Sequence, residues 1–258
     1  MKILVIQQKM IGDVLTTSIL FEALRKEYPN SQLHYLIYAH TLPVIKQNPF
    51  INKVILFKDD LKHPLKFNSF LKKIKRERYD VVIDVYSKLS SAIITKFSGA
   101  PIRTSYNKWY TKSFYTHSFD KVIVAKTNAG TAIEKRLRLL TPVMKQLPAE
   151  VKPKIYLARE EKIKAQEQLT NAGITKDRLV LMIAVLGSSA SKTYPLEYQA
   201  QLLDKIVEDT QAQLLFNYIP SQKNEALKVY NLCKQRTQKA IFFDLFGKDL
   251  REFLALTY

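Results

Sequence analysis

Cysteine is nearly absent from this chain. One residue, Cys233, among 258 leaves no internal disulfide to form, which excludes a disulfide-stapled secreted scaffold and suits a reducing compartment, so the cytoplasm is the expected location. Glycine is also scarce: with only six, the sequence contains neither a G-x-G-x-x-G nor a G-x-x-x-x-G-K-[ST] string, and both common glycine-built phosphate cradles are excluded. Long apolar runs are missing. The longest, 179–186, is far shorter than the roughly 20 residues needed to cross a bilayer. The apolar run after Lys2 stops at Gln7, with no long h-region or small-residue cleavage site. The four histidines, His34, His40, His63 and His117, show no ligand spacing, and no metal site is expected.

Acidic residues are outnumbered, 23 against 41 Lys and Arg, for a formal net charge of +18. The excess is uneven: residues 1–150 carry 25 basic against 11 acidic side chains, a net +14, whereas residues 151–258 carry 16 against 12, a net +4. Such a surface steers anionic partners, whether nucleic acid, anionic lipid or a phosphorylated substrate. A generic solubility charge is the alternative. With 47% hydrophobic residues the chain can bury one large or two medium cores, and its length favours two domains.

Short apolar runs alternate with segments of helical period. Lys2–Ile6 reads as a strand, and Leu15, Ile19, Leu20, Ala23, Leu24 and Tyr28 recur at helical spacing until Pro29-Asn30. Strands are expected at 33–38, 53–57, 79–85, 102–106 and 121–125, with helices at 64–78, 89–97 and 131–144 and a shorter one at 42–50. The segment 107–119 mixes Trp109, Tyr110, Phe114, Tyr115 and Phe119 with lysines and fits neither period, so it reads as a loop or irregular hairpin; such mixtures suit membrane interfaces and base stacking alike. Helix 64–78 is basic and amphipathic, which fits a solvated face or a membrane surface. Pro148 and Pro153 mark a linker over 147–158. Beyond it the alternation restarts: helix 160–172 ended by Gly173, buried strand 179–186, helix 195–209 with Pro195 at its first position, strand 213–218, helix 224–234, strand 240–245 and helix 248–256. The pattern is that of parallel sheets covered by helices. The expected domains are 1–146 and 159–258.

Two loops stand out. Gln7-Gln8-Lys9-Met10-Ile11-Gly12-Asp13 follows the first strand, where open parallel sheets bind ligands. Gly12 lets the backbone approach a ligand, and Asp13, Thr16 and Thr17 place a carboxylate and two hydroxyls around the first helical turn. On spacing alone, an Asp before a helical run reads first as an N-cap. Asp84, at the end of another strand, could equally line the cleft or cap the next helix. The second loop, Gly187-Ser188-Ser189-Ala190-Ser191-Lys192-Thr193-Tyr194-Pro195, offers hydroxyls, backbone N–H groups and a lysine ahead of a helix, a setting that favours phosphate. Ser-rich turns are also common simply as turns.

Gly12-Asp13-Val14-Leu15-Thr16-Thr17 after Lys2–Ile6, and Gly187-Ser188-Ser189 followed by Lys192-x-Tyr194-Pro195, resemble the two signatures of the heptosyltransferases, glycosyltransferase family 9, in the family's order. Gly247-Lys248 with Leu250-Arg251-Glu252 resembles the segment before the family's last motif. That motif, Asp/Asn-x-Gly-x-x-His, has no counterpart, and Glu225 falls slightly late for the family's base-contacting Glu. The resemblance implies two Rossmann-like domains facing each other across a cleft, the glycosyltransferase B architecture, with the second domain incomplete. It implies inverting, metal-independent transfer of a sugar, expected to be heptose, from an ADP-activated donor to an acidic lipopolysaccharide-core-like glycolipid. Asp13 would be the base, Gly187, Ser188, Ser189 and Lys192 the donor phosphates' contacts, and Gly12, Thr16 and Thr17 acceptor-side residues. No cofactor is expected beyond the ADP-sugar substrate. Location is expected in the cytoplasm, peripheral on the inner face of the membrane. The alternatives are a non-catalytic truncated transferase, or a basic module for anionic lipid or nucleic acid, the latter without sequence-specific readout because no helix-turn-helix, zinc-finger or RRM signature occurs.

Overall fold

In the computed structural model, which describes residues 1–121, 124–245 and 249–258, the chain divides into two compact units, Met1–Tyr156 and Leu157–Tyr258. The first is built on strands β1 (Lys2–Ile6), β2 (Gln32–Tyr38), β3 (Lys53–Phe57), β4 (Val81–Asp84), β5 (Ile102–Tyr106) and β6 (His117–Phe119). They form one parallel sheet in the order β3-β2-β1-β4-β5-β6, with Val5 opposite Tyr35 on one side and Ile83 on the other. The central strands are buried on both faces, which is why they read as unbroken apolar runs rather than alternating ones. Helices α1 (Ile11–Thr17), α2 (Ile19–Glu27), α3 (Pro64–Arg76), α4 (Leu89–Phe97) and α5 (Thr131–Arg138) complete this unit. Strand order reverses between β1 and β4, so the loops leaving their carboxyl ends diverge and open the crevice in which such sheets bind ligands.

Several expectations are corrected. The single helix expected after β1 is two, because the Ser18 hydroxyl donates to the Leu15 carbonyl (2.7 Å) and the Ser18 N–H is shared between Val14 and Leu15, a back-bonding that bends helices. The helix also begins earlier, with Met10 at φ 65° as its flanking residue; Asp13 lies inside α1 and is not a cap. The segment at 42–50 forms a 3₁₀ turn over Ala39–Val44 with Pro43 inside it, followed by further turns. Part of 107–119 pairs after all: β6 joins the edge of β5, with Thr104 opposite His117. Of the strand expected at 121–125, residues 122 and 123 lie outside the described residues, and Lys121, Val124 and Ala125 carry no strand. Helix α5 ends at Arg138 rather than near 144, passing into tight turns before Pro142.

The second unit holds α6 (Arg159–Asn171), β7 (Val180–Ala184), α7 (Leu196–Thr210), β8 (Gln213–Asn217), α8 (Lys223–Leu232), α9 (Gln235–Ala240), β9 (Ile241–Phe242) and α10 (Leu250–Leu256). Its three strands are parallel in the order β7-β8-β9, the arrangement that β1-β2-β3 has in the first unit. Strand β7 is not buried as expected: Leu181 and Ile183 pack on the core while Val180 and Met182 are exposed, as fits a strand paired on one side among the described residues. Pro195 precedes α7 rather than starting it. The helix expected at 224–234 ends at Leu232, with α9 following. Only Ile241 and Phe242 of the strand expected at 240–245 pair, and the expected start of the last helix and the Gly247-Lys248 pair fall on 246–248, outside the described residues. Asp249 caps α10 through the N–H groups of Arg251 (2.8 Å) and Glu252 (2.9 Å), and Arg251 binds Glu161 through Nε and Nη2 at 2.7 Å each, tying α10 to α6. Among the described residues no helix is long and apolar enough to cross a membrane.

Candidate functional site

Three neighbouring loops, after β1, β4 and β5, wall a cavity of about 480 Å³ together with α5. Its lining includes Lys9, Lys88, Lys108, Lys121, Lys135 and Arg136, with Asp13 as the one carboxylate among the described residues. Part of the first unit's charge excess is thus gathered at one crevice, where low-dielectric walls focus the field on an anion.

Asp13 is held there by a residue of the helix expected at 131–144 that the sequence pattern does not single out. Arg136, buried on α5, donates Nη2–H to Asp13 Oδ1 at 2.6 Å, Nε–H to the fully buried Thr17 hydroxyl at 3.1 Å, and Nη1–H to the Ala132 carbonyl at 2.7 Å. All three nitrogens of the fork are engaged, so the carboxylate is fixed from one side while Oδ2 has no hydrogen-bond partner among the described residues. Asp13 is half exposed and lines the cavity. Of the other residues expected on the acceptor side, Gly12 lines an adjoining hollow with His40, Thr16 donates back to the Gly12 carbonyl (2.7 Å), and Thr17 serves Arg136 rather than the cavity. No sequence signal within reach of Asp13 announces Arg136, which lies 123 residues away.

Asp84 turns out to be a fastener. It is fully buried, accepts Ser87 N–H at Oδ1 (2.8 Å) and Tyr115 O–H at Oδ2 (2.7 Å), and does not line the cavity. Burial pushes its carboxyl up to about 6 against the lowering pull of those hydrogen bonds. The loop it holds places Ser87 at φ 52°, a conformation uncommon for a residue with a Cβ. The Ser87 carbonyl accepts from Lys108 Nζ, which joins the loop after β4 to the loop after β5.

In the second unit, the loop after β7 and the start of α7 line a cavity of about 550 Å³ with Gly187, Ser188, Ser189, Thr193, Gln222 and Glu225 among its walls. The turn is tight. A Cβ on Gly187 would stand 2.2 Å from the Lys192 carbonyl oxygen, so only glycine fits. Thr193 closes the loop by accepting Gly187 N–H (3.1 Å) and donating to the Ser189 carbonyl (2.9 Å), and Gln222 donates to the Gly187 carbonyl (3.2 Å). Ser188 and Ser189 reach the cavity; Lys192 is exposed and is not among its lining residues. Glu225, late by sequence register, does line it, and pairs with Lys228 (2.7 Å).

Residues 67–257 match the sequence profile of glycosyltransferase family 9 (heptosyltransferase). Lipopolysaccharide heptosyltransferase 3 of Escherichia coli is 27% identical over 137 residues, 51% of this chain and 40% of that protein, so the chain spans well under half the length of this relative. Among solved structures, the family 9 glycosyl transferase from Veillonella parvula matches with a TM-score of 0.76 at 21% identity, covering 90% of this chain and 67% of that one. E. coli heptosyltransferase WaaC with ADP matches with a TM-score of 0.64 at 16% identity, covering 96% and 73%. The fold is the one these structures share, α/β with Rossmann-like units of the glycosyltransferase B kind.

Proposed function

The chain belongs to glycosyltransferase family 9, the heptosyltransferases, and on that premise we propose that it transfers heptose from ADP-heptose, with inversion, to a lipopolysaccharide-core-like glycolipid. The observation that carries this reading is the carboxylate of Asp13, fixed by Arg136 through one oxygen, with no partner on the other among the described residues, in a cavity whose other charged lining residues are all cations. An acceptor bearing phosphate or carboxylate groups suits those lysines. Asp13 Oδ2 takes the proton of the acceptor hydroxyl as its oxygen bonds to the anomeric carbon, while the bond from that carbon to the diphosphate oxygen breaks and ADP leaves. Ser188, Ser189 and the Lys192 charge stabilise the departing diphosphate, the kind of help that matters where negative charge develops. The ADP in the WaaC structure supports the nucleotide assignment. The place of action in this reading is the cytoplasmic face of the inner membrane, where such an acceptor is available.

General-base catalysis is typically worth about 10²–10⁴-fold. Asp13→Asn is therefore expected to lower turnover by that factor with little change in ADP affinity. Normal turnover in Asp13→Asn removes the base assignment, and a calorimetric titration that finds no ADP or ADP-sugar binding, beside a salt-dependent shift with nucleic acid, replaces the transferase with a non-catalytic basic module.

A further inference from the structure

The first unit exposes large apolar side chains at an unusual place. Met10 and Ile11 follow β1, Leu89 opens α4 after β4, and Trp109 and Tyr110 follow β5; all are exposed, Trp109 at 92%. Strands β1, β4 and β5 are neighbours in a parallel sheet, so these junctions lie side by side at its carboxyl edge, about 5 Å per strand. The Lys108–Ser87 bond ties the second junction to the third. Trp109 and Tyr110 pack edge to face with ring centroids 5.6 Å apart, which braces the pair without burying either ring.

Lysines alternate with these side chains. Lys9, Lys88 and Lys108 come from the same three loops as the apolar residues and line the cavity they surround, with Lys112 exposed beyond. Among the described residues the carboxylates of this region are Asp13, paired with Arg136, Asp120, bonded to Asn107, and Asp84, which is fully buried beneath the loop after β4. Indole and phenol rings settle at the headgroup level of a bilayer, and each lysine near an anionic leaflet adds about fivefold to binding, from roughly 1 kcal/mol per charge.

We propose that this rim, Met10, Ile11, Leu89, Trp109 and Tyr110 with their lysines, docks the protein on an anionic lipid bilayer, with the cavity of Asp13 opening at the docked edge. Single-stranded nucleic acid also uses aromatics and lysines, but it needs aromatic platforms for successive bases; Leu89, Met10 and Ile11 offer apolar contact without a stacking face, which suits an acyl boundary. The docking shares Lys9, Lys88 and Lys108 with the acceptor cavity proposed above, but it is read without turnover.

Trp109 is the chain's single tryptophan, so the rim carries its own probe. With vesicles of phosphatidylcholine containing roughly 30% phosphatidylglycerol, the expected result is co-sedimentation and a blue shift of the emission, both lost at high salt and absent with pure phosphatidylcholine. Lys112→Ala should lower the partition coefficient about fivefold, and Trp109→Ala should lower it further than Lys72→Ala with Lys73→Ala on α3 does; circular dichroism checks that each variant is folded. Absence of co-sedimentation overturns the proposal. So does co-sedimentation with unchanged emission, which places the contact elsewhere, and so does an oligouridylate that shifts the emission at lower concentration than the vesicles do.

Discussion

Replacing Gly187 by Ala tests the loop after β7 with a single methyl group. That methyl would stand 2.2 Å from the Lys192 carbonyl oxygen, 2.6 Å from its carbonyl carbon and 2.9 Å from its Cβ. The obstacle is backbone, so no rotamer change relieves it, and ordinary contact requires a displacement of about 1 Å. The loop has little freedom to yield, because Thr193 and Gln222 bind Gly187 on its N–H and carbonyl sides. Moving Ser188 and Ser189 by that distance forfeits about one charge-assisted hydrogen bond to a diphosphate, worth roughly 1.5–3 kcal/mol, or about tenfold to a hundredfold in affinity. Global stability should fall by no more than about 1–3 kcal/mol, the usual cost of one extra methyl in a packed site. Isothermal titration with ADP, beside urea unfolding of the same protein, separates the two effects. If Gly187→Ala binds ADP as tightly as the parent, the loop does not hold the diphosphate.

Arg136→Ala should cost about 2–4 kcal/mol in urea unfolding, near the low end for a broken buried pair because water reaches Asp13; Arg136→Lys should recover part of that, as it keeps the charge and loses the fork. In a turnover assay the same two substitutions should act on kcat more than on KM, and should add nothing to Asp13→Asn if Arg136 works through Asp13. The Asp84 carboxyl, pushed up to about 6 by burial, titrates higher in the folded chain than in the unfolded one, so its contribution to stability is full below about pH 4 and is lost as pH rises through about 6. Asp84→Asn should therefore match the parent in urea midpoint at pH 4 and exceed it at pH 7 by on the order of 2–3 kcal/mol; a difference that is the same at both pH values refutes this.

How far the sequence discloses the molecule depends on the range of each signal. Strands β1, β2 and β4 are legible because both faces of a central parallel strand are buried, leaving runs such as Val81–Asp84 that little else explains. Strand β6 is not, since an edge of three residues, His117–Phe119, needs no apolar run, only a neighbour. Both loops that carry the candidate site are visible as short local strings. Arg136 is invisible, because its role follows from a contact between residues 123 apart, and nothing in the local pattern separates it from Lys135 or Arg138. Gln222 and Glu225 are obscured in the same way: they reach the second unit's cavity from the loop and helix after β8. The break at Ser18 depends on a hydroxyl choosing its own helix as acceptor, a choice that helical periodicity does not encode.

Strand β7 has a practical consequence. Along the side away from β8 its N–H and carbonyl groups have no strand against them among the described residues, and Val180 and Met182 stand beside them in solvent. A bare ribbon margin of this kind is a template for another extended chain. Concentrated preparations of residues 1–258 should gain sheet and grow oligomers, and Met182→Lys should keep them monodisperse.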